Sequence, residues 1–240
     1  MSAHRDLTRG DGHLRIAPWR GDATTAYLTP ARGRPSTAAV ERSVATLEAS
    51  GYRAVITPAL GPADAAPFVD AGFEVHERLH LLRSVLADAP SSVDVVPIRR
   101  ARRADRARVL VLDAVAFSPF WRLDERGLAD ALRATPSARL RVIDRPDGDV
   151  GAAAYCVTGR AGTRGYLQRL AVDPAHQRRG MGSALVTDAV RWLRRWGARE
   201  VLVNTQEGNG AALGLYEAMG FTRQSEGLTV LWRGLDKASS

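Results

Sequence analysis

The chain has 240 residues, 45% of them hydrophobic and 25% charged, which supports a core of one or two domains and excludes a disordered chain. Its formal net charge is +8, and all but one of its 34 basic residues are arginine, Lys237 being the exception. A single cysteine, Cys156, excludes an internal disulfide and a multi-cysteine metal cluster. No metal is expected.

In chain order, residues 1–12 ("MSAHRDLTRGDG") are read as a flexible terminus without the apolar core of a signal peptide. Residues 13–86 hold a helix in "AAVERSVATLEAS", a stopping glycine at Gly51 and a strand in "RAVIT". A helix end in "PFVDA", Gly72-Phe73 and a strand pair in "EVHERLHLL" follow. His76 and His80 fall in that strand pair, where a spacing of four does not converge two ligands, and are read as structural. "ADAPSS", residues 87–92, is read as a linker.

The second part, 93–235, opens with a strand over 93–99, where Pro97 marks an edge or bulge. A helix over 105–116 puts Val109, Leu112 and Ala116 on one face. "FSPFW" interrupts before a second helix near 124–134. Strand "RLRVID" meets "VGAAAYCV" through the turn "RPDGD", and "YLQRLAV" follows. After a polar loop, a helix over 183–196 carries Leu185, Ala189, Leu193 and Trp196 on one face, with Arg191, Arg194 and Arg195 largely opposite. Gly197 stops it. Strand "EVLVNT", helix "GAALGLYEAMG" and strands "FTRQ" and "LTVLWRG" lead to a short tail, 236–240. The order βααβββαβαββ is a mixed α/β arrangement. No run of 18 apolar residues occurs, so a soluble, cytoplasmic protein without membrane contact is expected.

The two parts share a pattern. Gly51 and Gly197 lie 146 apart, and Gly72-Phe73 and Gly220-Phe221 lie 148 apart, two anchors of a duplicated unit. The copies differ in their polar residues. The segment matching "QRRGMG" is "ARGRPS", Tyr216 falls on Phe68 and Asn209 falls on Gly61. The first copy keeps packing residues only and reads as structural.

The loop "LAVDPAHQRRGMGSALV" carries the chemistry. A helix N-terminus offers unpaired N–H groups and partial positive charge. Gly180 and Gly182 remove Cβ atoms there and permit unusual dihedrals, while Arg178 and Arg179 supply charge-assisted bonds. A diphosphate suits this better than a base or a sugar. Gly180-Met181-Gly182 is a poor dinucleotide fingerprint, because seven residues separate it from the strand and Leu185 replaces the third glycine. The chain has no phosphate-loop lysine motif and no Gly-x-Ser-x-Gly elbow.

Gln177-Arg178-Arg179-Gly180-Met181-Gly182, followed by Asn209, Ala212, Leu215-Tyr216 and Gly220-Phe221, resembles the GNAT superfamily of acyl-CoA-dependent N-acetyltransferases. The element order from residue 93 onward agrees with that family. The resemblance implies a GNAT acyltransferase fold, a mixed α+β sheet, preceded by a degenerate partial copy, as in tandem members such as the mycothiol synthases. It implies acetyl-CoA as acyl donor. Leu170, Ala171 and Val172 would pair with pantetheine through their main chain, and the loop through Met181, Gly182 and Ser183 would hold the pyrophosphate. Asn209 and Ala212 would support the cofactor or the loop before their helix. Tyr216 would protonate the leaving thiolate.

The acceptor is expected to be a small-molecule or peptide primary amine, bordered by Phe117, Phe120 and Trp121. Family members that acetylate ribosomal-protein N-termini carry a glutamate twelve residues before the tyrosine; Asn204 stands there, and it is no base. Asp113, Glu207, Asp124 and Glu125 are the remaining carboxylates considered for that role, each also readable as a surface or capping group. The run "RRARRADRAR", 99–108, is read as solvating its helix. A non-catalytic acyl-CoA-binding or interaction module is the rival reading. Nucleic-acid binding would rest on charge alone and is not expected, and the pattern sets no oligomeric state.

Overall fold

The computed structural model describes residues 5–7, 13–20, 22–86, 96–146 and 150–235. Along the chain these form β1 (Arg5–Leu7), β2 (His13–Trp19), β3 (Asp22–Arg32), α1 (Thr37–Ala49), β4 (Ala54–Ile56), α2 (Pro62–Asp70) and β5 (Glu74–Val85). There follow β6 (Arg99–Arg100), α3 (Asp105–Ala116), α4 (Glu125–Arg133), β7 (Ser137–Asp144), β8 (Ala152–Ala161) and β9 (Arg164–Val172). Last come α5 (Met181–Arg195), β10 (Glu200–Gln206), α6 (Gly210–Ala218), β11 (Thr222–Arg223) and β12 (Leu228–Gly234). The proposed linker 87–92 and tail 236–240 lie outside the described residues, as do 93–95 and the tip of the "RPDGD" turn. Arg5–Leu7, inside the expected flexible terminus, pairs antiparallel with β2.

Two compact units divide the chain. The first takes Met1–Leu81, Gln206–Gly208 and Ser225–Ser240; the second takes Leu82–Thr205 and Asn209–Gln224. This differs from a boundary at 86–93, and β12 is the reason. In the first unit β12 lies antiparallel between β4 and β5, with Trp232 opposite Ile56 and Leu228 opposite Leu79. Its Val230 and Leu231 are buried, and Leu231 packs with Leu28, Val44, Val55 and Phe68. The expected strand pair after Gly72 is one strand instead. "EVHERLHLL" contains no Gly, Pro, Asn or Asp to reverse the chain, so it continues straight as β5. Sequence reasoning also passed over the β2–β3 hairpin, which turns at Arg20 with φ 45°.

In the second unit the strand order runs from the end of β5 through β10, β9, β8 and β7 to β6, with β11 on β5. β9 and β10 are parallel, and β7, β8 and β9 are antiparallel neighbours. β8 is buried along most of its length, and its side chains alternate between two cores. Cys156 joins Leu185, Leu193, Val201, Tyr216 and Phe221 under α5 and α6. Tyr155 and Val157 join Val109, Leu112, Leu128 and Val142 under α3 and α4. The expected first strand shrinks to Arg99–Arg100, although Val96 and Ile98 still pack against the first of these cores. Trp196 is not on the buried face of α5. It caps the helix at φ −98°, ψ 18°, 58% exposed, because the chain has already begun to turn toward Gly197; Trp192 packs inward in its stead.

Helix ends repeat between the units. α1 closes with Gly51 N–H on Glu48 O and Tyr52 N–H on Leu47 O, and α5 with Gly197 N–H on Arg194 O and Ala198 N–H on Leu193 O. α2 and α6 close the same way through Gly72-Phe73 and Gly220-Phe221. All four glycines have φ between 79° and 85°, the left-handed cap that favours glycine. The rings match too: Phe68 meets Phe73 at 5.4 Å and Tyr216 meets Phe221 at 5.7 Å.

Candidate active site

β9 and β10 pair only at their start, from Arg164 opposite Glu200 to Tyr166 opposite Leu202. A register shift in the β8–β9 ladder follows, between Thr158 opposite Leu167 and Val157 opposite Arg169. Such a bulge bends the strand that carries it, and beyond it no β9–β10 ladder is formed among the described residues. Asp173 N–H donates to Ala153 O on β8. Because main-chain groups alternate along a strand, the N–H groups of Leu170 and Val172 then face the opposite edge, toward the opening. Gln177 Nε2 lies 3.5 Å from Val172 O. The result is a strip along one side of residues 170–172 that no strand pairs among the described residues, covered only at Val172 O by Gln177, while the side chain of Ala171 turns into the α3–α4 core.

The strip leads into the loop. Asp173 pins its start, accepting Arg145 Nη2 at 2.6 Å and Ala175 N–H at 2.9 Å. Pro174–His176 form one 3-10 turn. Arg178 then takes φ 62° and Gly180 φ 77°. A left-handed arginine is a strained residue, on the order of 1–3 kcal/mol, and such strain gathers where a loop must hold one shape. α5 starts without a side-chain cap, and its first helical bond is Ala184 N–H to Gly180 O at 2.9 Å. The N–H groups of Met181, Gly182 and Ser183 are therefore left over, with Arg178 and Arg179 exposed beside them. Gly182 differs from its expected role. Its φ is not left-handed. A Cβ there would lie 3.1 Å from Leu215 Cδ2 and 3.9 Å from Val172 Cγ2, so its bareness lets α5 approach α6 and the end of β9.

Tyr216 is 5% exposed and shares one apolar cluster with Cys156, Met181, Leu170, Val172 and Ala212. Burial pushes its phenol above the usual value. The Cys156 thiol is likewise pushed up to about 11 by burial. Both therefore stay protonated at neutral pH. Asn209 is the N-cap of α6, its Oδ1 accepting Ala212 N–H at 3.0 Å. It thus serves the helix start, beside the expected support of the cofactor or of the loop before the helix. Asn204 is exposed on β10.

The aromatic segment divides. Phe120 and Trp121 form a T-shaped pair with centroids 5.0 Å apart, whereas Phe117 lies under the Arg169 guanidinium, 3.4 Å from its ring centre. That arginine belongs to a network that sequence reasoning missed. Asp113 is fully buried and accepts Arg169 Nε at 2.8 Å, Arg169 Nη2 at 3.0 Å, Leu123 N–H at 2.6 Å and the Tyr155 hydroxyl. Asp113 is thus neither a surface carboxylate nor an available base. Asp124 caps α4 through Gly127 N–H at 2.6 Å, and Glu125 and Glu207 are exposed. The available signal was an aspartate at the inward positions of an otherwise apolar helix.

Residues 107–221 match the acetyltransferase (GNAT) family. The mycothiol acetyltransferase of Geodermatophilus obscurus is 40% identical over 88 residues, 37% of this chain and 25% of that protein. The ribosomal protein bS18-alanine N-acetyltransferase of Escherichia coli is 35% identical over 69 residues, 29% of this chain and 47% of that one. The aligned stretches thus span less than half of either relative. Among solved structures, a tandem GNAT protein from the clavulanic acid biosynthesis pathway superposes with a TM-score of 0.70 at 14% identity, over 98% of this chain and 82% of that one, a likeness of fold. No helix among the described residues is long and apolar enough to cross a membrane.

Proposed function

Residues 107–221 are an acetyltransferase domain of the GNAT family, and from that premise we propose that the protein is an acetyl-CoA-dependent N-acetyltransferase. It would act by direct transfer to a primary amine. The observation that carries this reading is a strip at 170–172 that no strand pairs among the described residues, running into a helix start without a side-chain cap, with a buried phenol in the same cluster. Pantetheine would add to the strip as a strand does, and the N–H groups of 181–183 with Arg178 and Arg179 would take the pyrophosphate. The amine nitrogen attacks the thioester carbonyl carbon, whose oxygen draws on Val172 N–H. One such donor is worth roughly 10²–10³ in rate. As the C–S bond breaks, Tyr216 gives its proton to the thiolate. The amine's own proton leaves to water, since Asp113 is held by Arg169 and Asp124 by its cap.

The first unit reads as a non-binding partial copy of this arrangement. Its matching helix, α1, begins at Ser36, whose Oγ already accepts Ala39 N–H at 3.2 Å, and Phe68 stands where Tyr216 does. The acceptor is a small-molecule or peptide amine, with Phe120 and Trp121 as a wall. An N-terminal-peptide acceptor is the second reading, favoured by the E. coli relative's substrate and disfavoured by Asn204.

The test pairs calorimetry with a thiol assay across an amine panel. Acetyl-CoA should bind at one site per chain, and free CoA thiol should appear only with an amine present. Binding without turnover for any amine makes the protein a binding module; no binding, or two equivalent sites, overturns the reading. Within it, Gly182→Val should push α5 away from Leu215 and Val172. Acetyl-CoA affinity should fall tenfold or more, and overpacking should cost about 1–3 kcal/mol of stability. Unchanged affinity by calorimetry removes the loop from the cofactor site.

A further inference from the structure

The arginine run at 99–108 does not merely solvate a helix. β6 pairs with β7 only at Arg99 opposite Val142 and Arg100 opposite Arg141, and Ala101 N–H to Leu140 O is the next main-chain bond. Beyond it no further main-chain pairing on this edge of β7 is formed among the described residues. A cavity of about 620 Å³ lies there, lined by Arg100, Arg102, Arg103, Arg106, Arg139 and Arg141, with Trp192 and Leu132 as apolar wall. Arg139 and Arg141 reach the same carboxylate, Asp188, at 2.6 and 3.3 Å. The side chains of the other four meet no carboxylate among the described residues. Six guanidinium groups thus share one counter-charge. Arg139 also lies over the Trp192 ring at 4.9 Å, and its buried Nε has no acceptor.

We propose that this cavity is a second ligand site, separate from the acyl-CoA cleft, for a small molecule carrying two or more phosphoryl groups. Guanidinium forks pair with phosphate oxygens two bonds at a time, and several forks around one space need more than one anionic group. The cavity is half open to solvent, and its volume falls in the range of small-molecule pockets, roughly 300–1,000 Å³. A duplex backbone would need an extended stripe instead. Leu132 and the indole of Trp192, one face of which carries the Arg139 guanidinium, add an apolar wall against which a nucleoside polyphosphate would rest its base. The site is distinct from the cleft by construction of the sheet. β8 intervenes between β7 and β9, and Trp192 lies ~16 Å along α5 from Met181 at 1.5 Å per residue.

Tripolyphosphate and a nucleoside triphosphate, each titrated into full-length protein saturated with CoA, test the proposal. Both should bind at one site per chain. Arg103→Gln/Arg106→Gln, which removes two charges held by no carboxylate, should weaken binding tenfold or more, while Arg194→Gln/Arg195→Gln at the exposed end of α5 should not. Tighter binding of the nucleoside triphosphate than of tripolyphosphate would assign the apolar wall to the base. Equal loss in both double variants means a diffuse charge effect and overturns the site. So does absence of binding in wild-type protein, or binding that appears only when CoA is withheld. Length-dependent oligonucleotide binding in the same cavity, without tripolyphosphate binding, would make it a nucleic-acid surface instead.

Discussion

Replacing Tyr216 with phenylalanine should lower turnover by on the order of 10²–10⁴, if general-acid catalysis is its whole contribution. Acetyl-CoA affinity should hardly move, because the contact to sulfur strengthens only as negative charge develops there. Stability should hold as well. The phenol lies in an apolar cluster beside Cys156 and Phe221, and deleting its hydroxyl should cost no more than the ~1 kcal/mol of one hydrogen bond. Phe68, at the end of α2 where the proposed first copy would match Tyr216, is 0% exposed. Wild-type rates should rise with pH as the acceptor amine loses its proton. Since burial lifts the phenol above its ordinary value near 10, tyrosine ionisation should cause no fall below pH 10. Single-turnover thiol release with calorimetry on the same samples separates these effects. Full turnover in the variant would make the tyrosine structural and leave the acid to water.

Asp113→Asn should cost about 3–5 kcal/mol, the scale for breaking one side of a buried ion pair. The Arg169 side chain is only 12% exposed, and the variant strips it of its counter-ion in a largely buried place. A loss of that size is a third or more of a typical domain's stability. The damage should also reach the acceptor side, because Arg169 Nη2 donates to Trp121 O at 2.6 Å and Asp113 holds Leu123 N–H. The amine KM should therefore rise in whatever fraction stays folded. Urea titration measures the first effect. Asp113→Asn/Arg169→Met, which removes the orphaned charge, should recover part of the loss. A cost below about 1 kcal/mol in the single variant would mean that the network adds only the small share of a surface pair.

What could be read from the residues was what neighbouring positions decide. α3 was legible to its last residue because Val109, Leu112 and Ala116 keep helical spacing and "FSPFW" cannot extend it. The start of α5 was legible to within two residues because Gly180 breaks a polar loop ahead of Ala184, Leu185 and Ala189. Distant pairings were not. Nothing in "LTVLWRG" announces that Trp232 will lie beside Ile56, and the Asp113–Arg169 pair joins positions 56 apart on a helix and a strand. The cationic cavity escaped for the same reason. Its arginines come from 100–106 and from 139 and 141, and each group alone reads as solvated surface. Gly182 shows the reverse case, a glycine singled out for phosphate approach and unusual dihedrals whose φ is ordinary and whose missing Cβ leaves room for Leu215.

The placement of β12 sets a schedule for the ribosome. The first unit lacks the strand between β4 and β5 until Leu228–Gly234 has been made, roughly 140 residues after β5 is complete. At 5–20 residues per second that is a wait of about 7–30 s. During it, two strand edges and the apolar surface later covered by Val230 and Leu231 stand open beside the emerging chain. The amino-terminal unit, first to be synthesised, is the last that can close.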